Sequence, residues 1–147
     1  MSFFRSPTLR RIAHNALRVV AGFMFLQHGA QKLFGWLGGF GGTPGQTAEL
    51  MSLMGLAGVL EFFGGALILL GLLTRPVAFL LAGQMAVAYF RAHAPQGFWT
   101  IQNGGELAAL YAFVFLLLVA IGPGSVSLDA ALGIDGEEAS GSTAGSG

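Results

Sequence analysis

The chain has 147 residues, 54 % of them hydrophobic and only 10 % charged, with 24 glycines, 13 phenylalanines and a formal net charge of zero. This balance inverts that of a soluble domain, leaves room for one domain only, and offers no basic surface, which excludes nucleic acid as a partner. Cysteine is absent, which removes disulfides, thiol exchange and thiolate-bound metal.

Four apolar stretches read as transmembrane helices. Arg10 and Arg11 precede the first, as a signal peptide's basic region would. The run then continues into Gln27, His28, Gln31 and Lys32 with no small-residue cleavage site, so it reads as a retained helix over about 12–34. The second span, about 53–73, is almost purely apolar apart from Glu61. Only a few residues around Thr74-Arg75 separate it from the third, about 76–93, which Pro76 opens as a first-turn residue. So short a link predicts an antiparallel hairpin. The fourth span, about 105–121, stops at Gly122-Pro123-Gly124, through which no helix continues. Each stretch approaches or exceeds the ~20 residues needed to cross a hydrocarbon core, the last two only with help from tilt or polar ends.

The expected fold is therefore an all-α integral membrane protein: an antiparallel four-transmembrane-helix bundle over residues 1–133, followed by a flexible Ser/Gly-rich tail over 134–147. Trp36 and Phe40 in the first connection, and Phe98 and Trp99 in the third, suit the membrane interface. Arg5, Arg10, Arg11 and Arg75 fall on the side of the N-terminus, against Lys32 and Arg91 on the other. The positive-inside rule then places both termini in the cytoplasm, and with four spans the chain is expected in the inner (plasma) membrane as a multi-pass protein.

Ionisable groups within a bilayer are costly, and so are functional candidates. Most of them share a depth. At ~1.5 Å per residue, His28 lies roughly 9 Å below the outer end of its span, with Gln31 and Lys32 above it. Glu61 lies about 12 Å in by the same count, Gln84 is at similar depth with Tyr89, Arg91 and His93 above, and Glu106 opens the fourth span beside Asn103. The candidate polar site is thus His28, Gln31, Lys32, Glu61, Gln84, Arg91, His93 and Glu106. On the helical wheel Glu61 is flanked by Ala57, Gly58, Gly64 and Gly65, a face for close helix contact. It points inward, with Lys32, His28 or Arg91 as partner. In the third span Gln84 and Arg91 share one face, and Tyr89 and His93 the opposite one; either can look inward. For Lys32, Arg91 and Glu106, near helix ends, snorkelling to the interface competes with function. Arg18 reads as structural and His14 as interfacial.

Haem is disfavoured, because His28 and His93 differ in depth and no Cys-x-x-Cys-His motif is present. No metal-ligand spacing recurs within a helix, so no metal is assigned. His28-x-x-Gln31 and His93-x-x-Gln96, with one Glu in each of the second and fourth spans, hint at two repeated helix pairs.

These residues resemble the DoxX family of small membrane proteins. The resemblance runs through Leu17-Arg18, Gly22-x-x-Phe25-x-x-His28-Gly29-x-x-Lys32, Glu61-x-x-Gly64-Gly65, Gly71-Leu72-Leu73-Thr74-Arg75, Asn103-Gly104-Gly105-Glu106 and Ser127-Leu128-Asp129. It implies a four-helix module associated with membrane redox systems, and transfers no catalytic residue. Relatives with thiol chemistry carry cysteines, which this chain lacks. Three functions follow as expectations: a non-autonomous oxidoreductase subunit offering a quinone site, a non-catalytic scaffold or anchor for a partner complex, or a component of small-solute or proton transport. Beyond the lipid bilayer, the expected partner is a protein of a membrane complex or further copies of the chain.

Overall fold

The computed structural model describes residues 6–134. Arg5 and nearly all of the expected polar tail lie outside the described residues. Within them the chain is helical, without a strand. Four long helices dominate: α1 (Pro7–Phe34), α2 (Leu53–Leu70), α3 (Thr74–Ala88) and, after the one-turn helix α4 (Thr100–Asn103), α5 (Glu106–Ile121). A short helix, α6 (Leu128–Leu132), ends the described chain.

The boundaries follow local chemistry in some places and distant partners in others. Pro7 occupies the first turn of α1, where a missing N–H costs nothing. Ser52 caps α2 by accepting from the Gly55 N–H at 3.1 Å. Gly71 ends that helix at φ 67°, donating to Ile68 O, while Leu72 N–H reaches Leu67 O at 2.9 Å. No residue near the start of α3 caps it. The carboxylate of Asp129 does so instead, accepting from Leu73 N–H at 2.7 Å and Thr74 N–H at 2.8 Å. The C-terminal segment is thereby pinned beneath the α2–α3 hairpin.

The helices form two antiparallel pairs, α1 with α2 and α3 with α5, both far more extensive than the α2–α3 contact. Along the first seam the backbones touch. A Cβ on Gly22 would fall 2.4 Å from Leu69 N, one on Gly29 2.2 Å from Phe62 N, and one on Gly65 2.5 Å from Leu26 N. Glycine at these three positions sets the helix separation, as in helix pairs packed in lipid. The pairs share one core of Phe25, Ile68, Leu81, Tyr111, Phe115 and neighbours.

Around this core the usual distribution is reversed. Phe63, Phe79 and Phe113 are 60, 70 and 71 % exposed, whereas Arg18, Glu61 and Asp129 are 2 to 3 % exposed. Apolar surface of that extent suits lipid, not water. By length and composition, α2 is the one described helix apolar enough to cross a membrane, and α5 is apolar but shorter. The other two fall short for visible reasons. α1 has the length but carries arginines, histidines and a lysine. α3 stops after 15 residues because the chain widens into a π turn, Tyr89–His93.

Candidate functional site

At the end of the molecule away from the α2–α3 hairpin, the helices enclose a cavity of about 360 Å³, within the ~300–1,000 Å³ range of small-molecule sites. Six of the eight candidate residues line it: His28, Lys32, Glu61, Gln84, Arg91 and His93. The other two do not. Gln31 turns to the first connection, donating to Leu37 O at 3.3 Å. Glu106 is exposed in the first turn of α5, where a carboxylate meets the positive end of the helix dipole.

Glu61 sits at the centre of the polar wall. Its side chain is 4 % exposed and forms an ion pair with Lys32 through Oε2. Oε1 accepts from Gln84 Nε2 at 3.0 Å. Of the three partners open to Glu61 on sequence grounds, Lys32 is the one engaged. The pair joins α1 to α2, and Gln84 extends it to α3, the two elements with the smaller mutual contact. A buried carboxylate with both oxygens bonded escapes the cost of an unpaired buried charge.

The two faces of the third span are reconciled by the π turn. Each residue there rotates through less than the 100° of an α-helix, which brings His93 round toward the face of Gln84 and Arg91. Asn103, 3 % exposed, then holds the turn in place. Its Nδ2 donates to Gly97 O at 2.8 Å, its Oδ1 accepts from Gly105 N–H at 2.8 Å, and its carbonyl meets His93 Nδ1 at 3.0 Å. A Cβ on Gly105 would strike the Tyr89 ring at 2.7 Å and His93 Cβ at 2.8 Å. The Asn103-Gly104-Gly105 motif therefore folds the corner that backs the cavity.

Sequence reasoning missed Tyr111. It is 5 % exposed, lines the cavity, and its hydroxyl is buried without a hydrogen-bond partner among the described residues. Its ring lies 5.0 Å from Phe25 and stacks on Phe115 at 5.6 Å, with His28 edge-on at 6.2 Å. The available signal was a hydroxyl in an otherwise apolar span. Arg18 lies apart from the cavity, near the hairpin. It donates to Ile68 O at 2.7 Å, Leu69 O at 2.6 Å and Val126 O, satisfying carbonyls at the end of α2. Arg75 does the same for Val119 and Ala120 at the end of α5. His14 meets Gly122 O at 3.0 Å.

Residues 13–94 match the DoxX family profile. Over 116 residues, the chain is 44 % identical to an uncharacterized protein of Haemophilus influenzae, covering 77 % of this chain and 85 % of the relative. The chain belongs to the DoxX family. A second relative, an uncharacterized membrane protein of Mycobacterium tuberculosis, is 33 % identical over 130 residues, with 77 % of each chain covered. No solved structure matches. Family and relatives place this DoxX protein among membrane proteins, in keeping with its inverted surface. All six cavity candidates fall within the matched segment, while Asn103 and Tyr111 lie beyond it. Among the described residues of this DoxX chain no group of three or more His, Asp or Glu is placed to hold a metal ion.

Proposed function

We propose that the protein is a multi-pass inner-membrane DoxX protein whose cavity holds the head group of a lipophilic, quinone-type ligand. It acts as a non-autonomous subunit of a membrane oxidoreductase. In this reading residues 1–133 form one antiparallel bundle of four transmembrane helices, with both termini cytoplasmic and the cavity toward the outer leaflet. The short, polar-ended helices cross by tilting and by placing charged ends at the interface.

One observation carries the proposal: an ion pair and an amide, Lys32–Glu61–Gln84, together with His28, Arg91 and His93, line a largely apolar cavity that also carries the rings of Phe25 and Tyr111. A ring with oxygens at its edge needs that combination of slot and hydrogen-bonding groups. The exposed lining residues Leu53, Met54, Val87 and Arg91 flank the gap between α2 and α3, so a membrane-dissolved ligand enters there. His28 and Glu61 are the groups able to exchange protons with it, and electrons come from the partner subunit.

The test is purification in mild detergent followed by mass spectrometry of bound lipids, for the wild type and Glu61→Gln. A quinone that co-purifies with the wild type and is lost from the equally folded variant is the expected result. No quinone in either sample would reject the reading.

A second reading, a non-catalytic scaffold, is favoured by a separate apolar groove. It is lined by Leu80, Gly83, Ala86, Ala112, Phe113 and Leu116 on α3 and α5, where a partner's helix would lie. Crosslinking from this groove to a partner, with an empty cavity, would establish it.

A further inference from the structure

We propose that the cavity selects the reduced, hydroxyl-bearing form of its ligand: a quinol head group in preference to a quinone. This rests on the quinone-type reading above and adds the redox form. The decisive atom is the amide oxygen of Gln84.

Gln84 Nε2 faces Glu61 Oε1 at 3.0 Å and Ala57 O at 3.4 Å. Both are acceptors only, which settles which end of the amide is nitrogen. Oε1 is consequently directed elsewhere, and it is buried without a partner on a residue that lines the cavity. An amide oxygen accepts and never donates. The Tyr111 hydroxyl, likewise buried and unpartnered beside the cavity, serves in either sense.

Set against these two atoms, the oxidation states of the ligand are not equivalent. Quinone carbonyls only accept, so they use Tyr111 and present lone pairs to the lone pairs of Gln84. A quinol hydroxyl donates to Gln84 Oε1 and engages Tyr111 as well. Lys32 gives one of its three N–H donors to Glu61 and offers the others equally to oxygens of either form. Arg91 and His28 donate to oxygens of either form, because a hydroxyl oxygen also accepts, so they do not discriminate. A buried polar group that one ligand pairs and another leaves unpaired is the strongest source of selectivity available to such a site.

The experiment uses the full chain in mild detergent under anaerobic conditions. It measures, by equilibrium dialysis, binding of a short-chain benzoquinol, the matching benzoquinone and the quinol's dimethyl ether. The ether keeps the ring and both oxygens and removes the donors. The quinol should bind at least about tenfold tighter than the other two, equivalent to ~1.4 kcal/mol. Gln84→Met should narrow the quinol-to-quinone ratio to within about threefold, because the acceptor that discriminates is gone. Tyr111→Phe should weaken both forms alike and keep the ratio. The wild-type comparison decides the matter even where a variant fails to fold. Equal or tighter binding of the quinone overturns the selectivity and leaves the quinone-type site standing. Absence of saturable binding by all three ligands overturns the site itself.

Discussion

Lys32 and Glu61 are unequal partners. Glu61 has a side chain 4 % exposed, Lys32 one 18 % exposed at the end of a flexible stem. Removing the lysine strands a buried carboxylate with only Gln84 as donor, and Lys32→Met is expected to cost ~3–5 kcal/mol. Removing the carboxylate lets the ammonium swing to the rim, so Glu61→Leu costs less. The double variant, with neither charge, should regain most of the loss. Thermal unfolding of the three proteins in one detergent checks this. A double variant no more stable than Lys32→Met would show that the pair is not what holds the wall together. That His28, Glu61 and Gln84 come to one level of the helix bundle was legible from residue counting alone. That Gln31 and Glu106 stand outside the cavity was not, because depth along a helix says nothing about which neighbour covers it.

The helices are specified by two kinds of contact, and glycine separates them. Gly29 is pressed against the backbone of Phe62, whereas a Cβ on Gly83 meets nothing within 4 Å. Both are mid-helix glycines, which intrinsically disfavour a helix by ~1 kcal/mol relative to alanine. Gly83→Ala should therefore be neutral or stabilise by up to about that amount, while Gly29→Ala must push α1 and α2 apart and destabilise by ~1–3 kcal/mol. Guanidinium or thermal titration of the two variants side by side measures the difference, and equal effects would contradict the close seam. The small-residue face around Glu61 was readable in the sequence. The capping of α3 by Asp129 was not, since the two are more than fifty residues apart and joined only by folding.

For the whole molecule, the proposed topology makes a prediction that the absence of cysteine renders clean. Single cysteines at Thr43 and Gln96, in the connections at the cavity end, should react with a membrane-impermeant maleimide added to intact cells. A cysteine at Ser125, at the hairpin end, should react only after the cells are opened. Labelling of Ser125→Cys in intact cells would reverse the orientation, and labelling at both ends without lysis would dismiss the arrangement altogether. The two antiparallel pairs explain where a ligand site can form. The glycine seam closes α1 on α2 and the α3–α5 contact closes the other pair. The gap between pairs is bridged by Gln84 and left open beyond it.

The approximate positions of the long helices, the stop of α5 at Gly122-Pro123, the inverted polarity and the family were determined by the sequence alone. Each depends on composition or on neighbours a few residues away, where backbone geometry leaves little choice. The expected second and third spans, about 53–73 and 76–93, overrun α2 and α3, which end at Leu70 and Ala88. The tertiary structure alone decided which side of α3 faces the cavity, that Lys32 is the partner of Glu61, and that Tyr111 belongs to the wall. A 100° wheel accumulates rotation faithfully only while the helix stays α. One π turn at Tyr89–His93 shifts every residue after it, and Asn103 and Gly105, distant in sequence, pack against that turn from the α4–α5 corner.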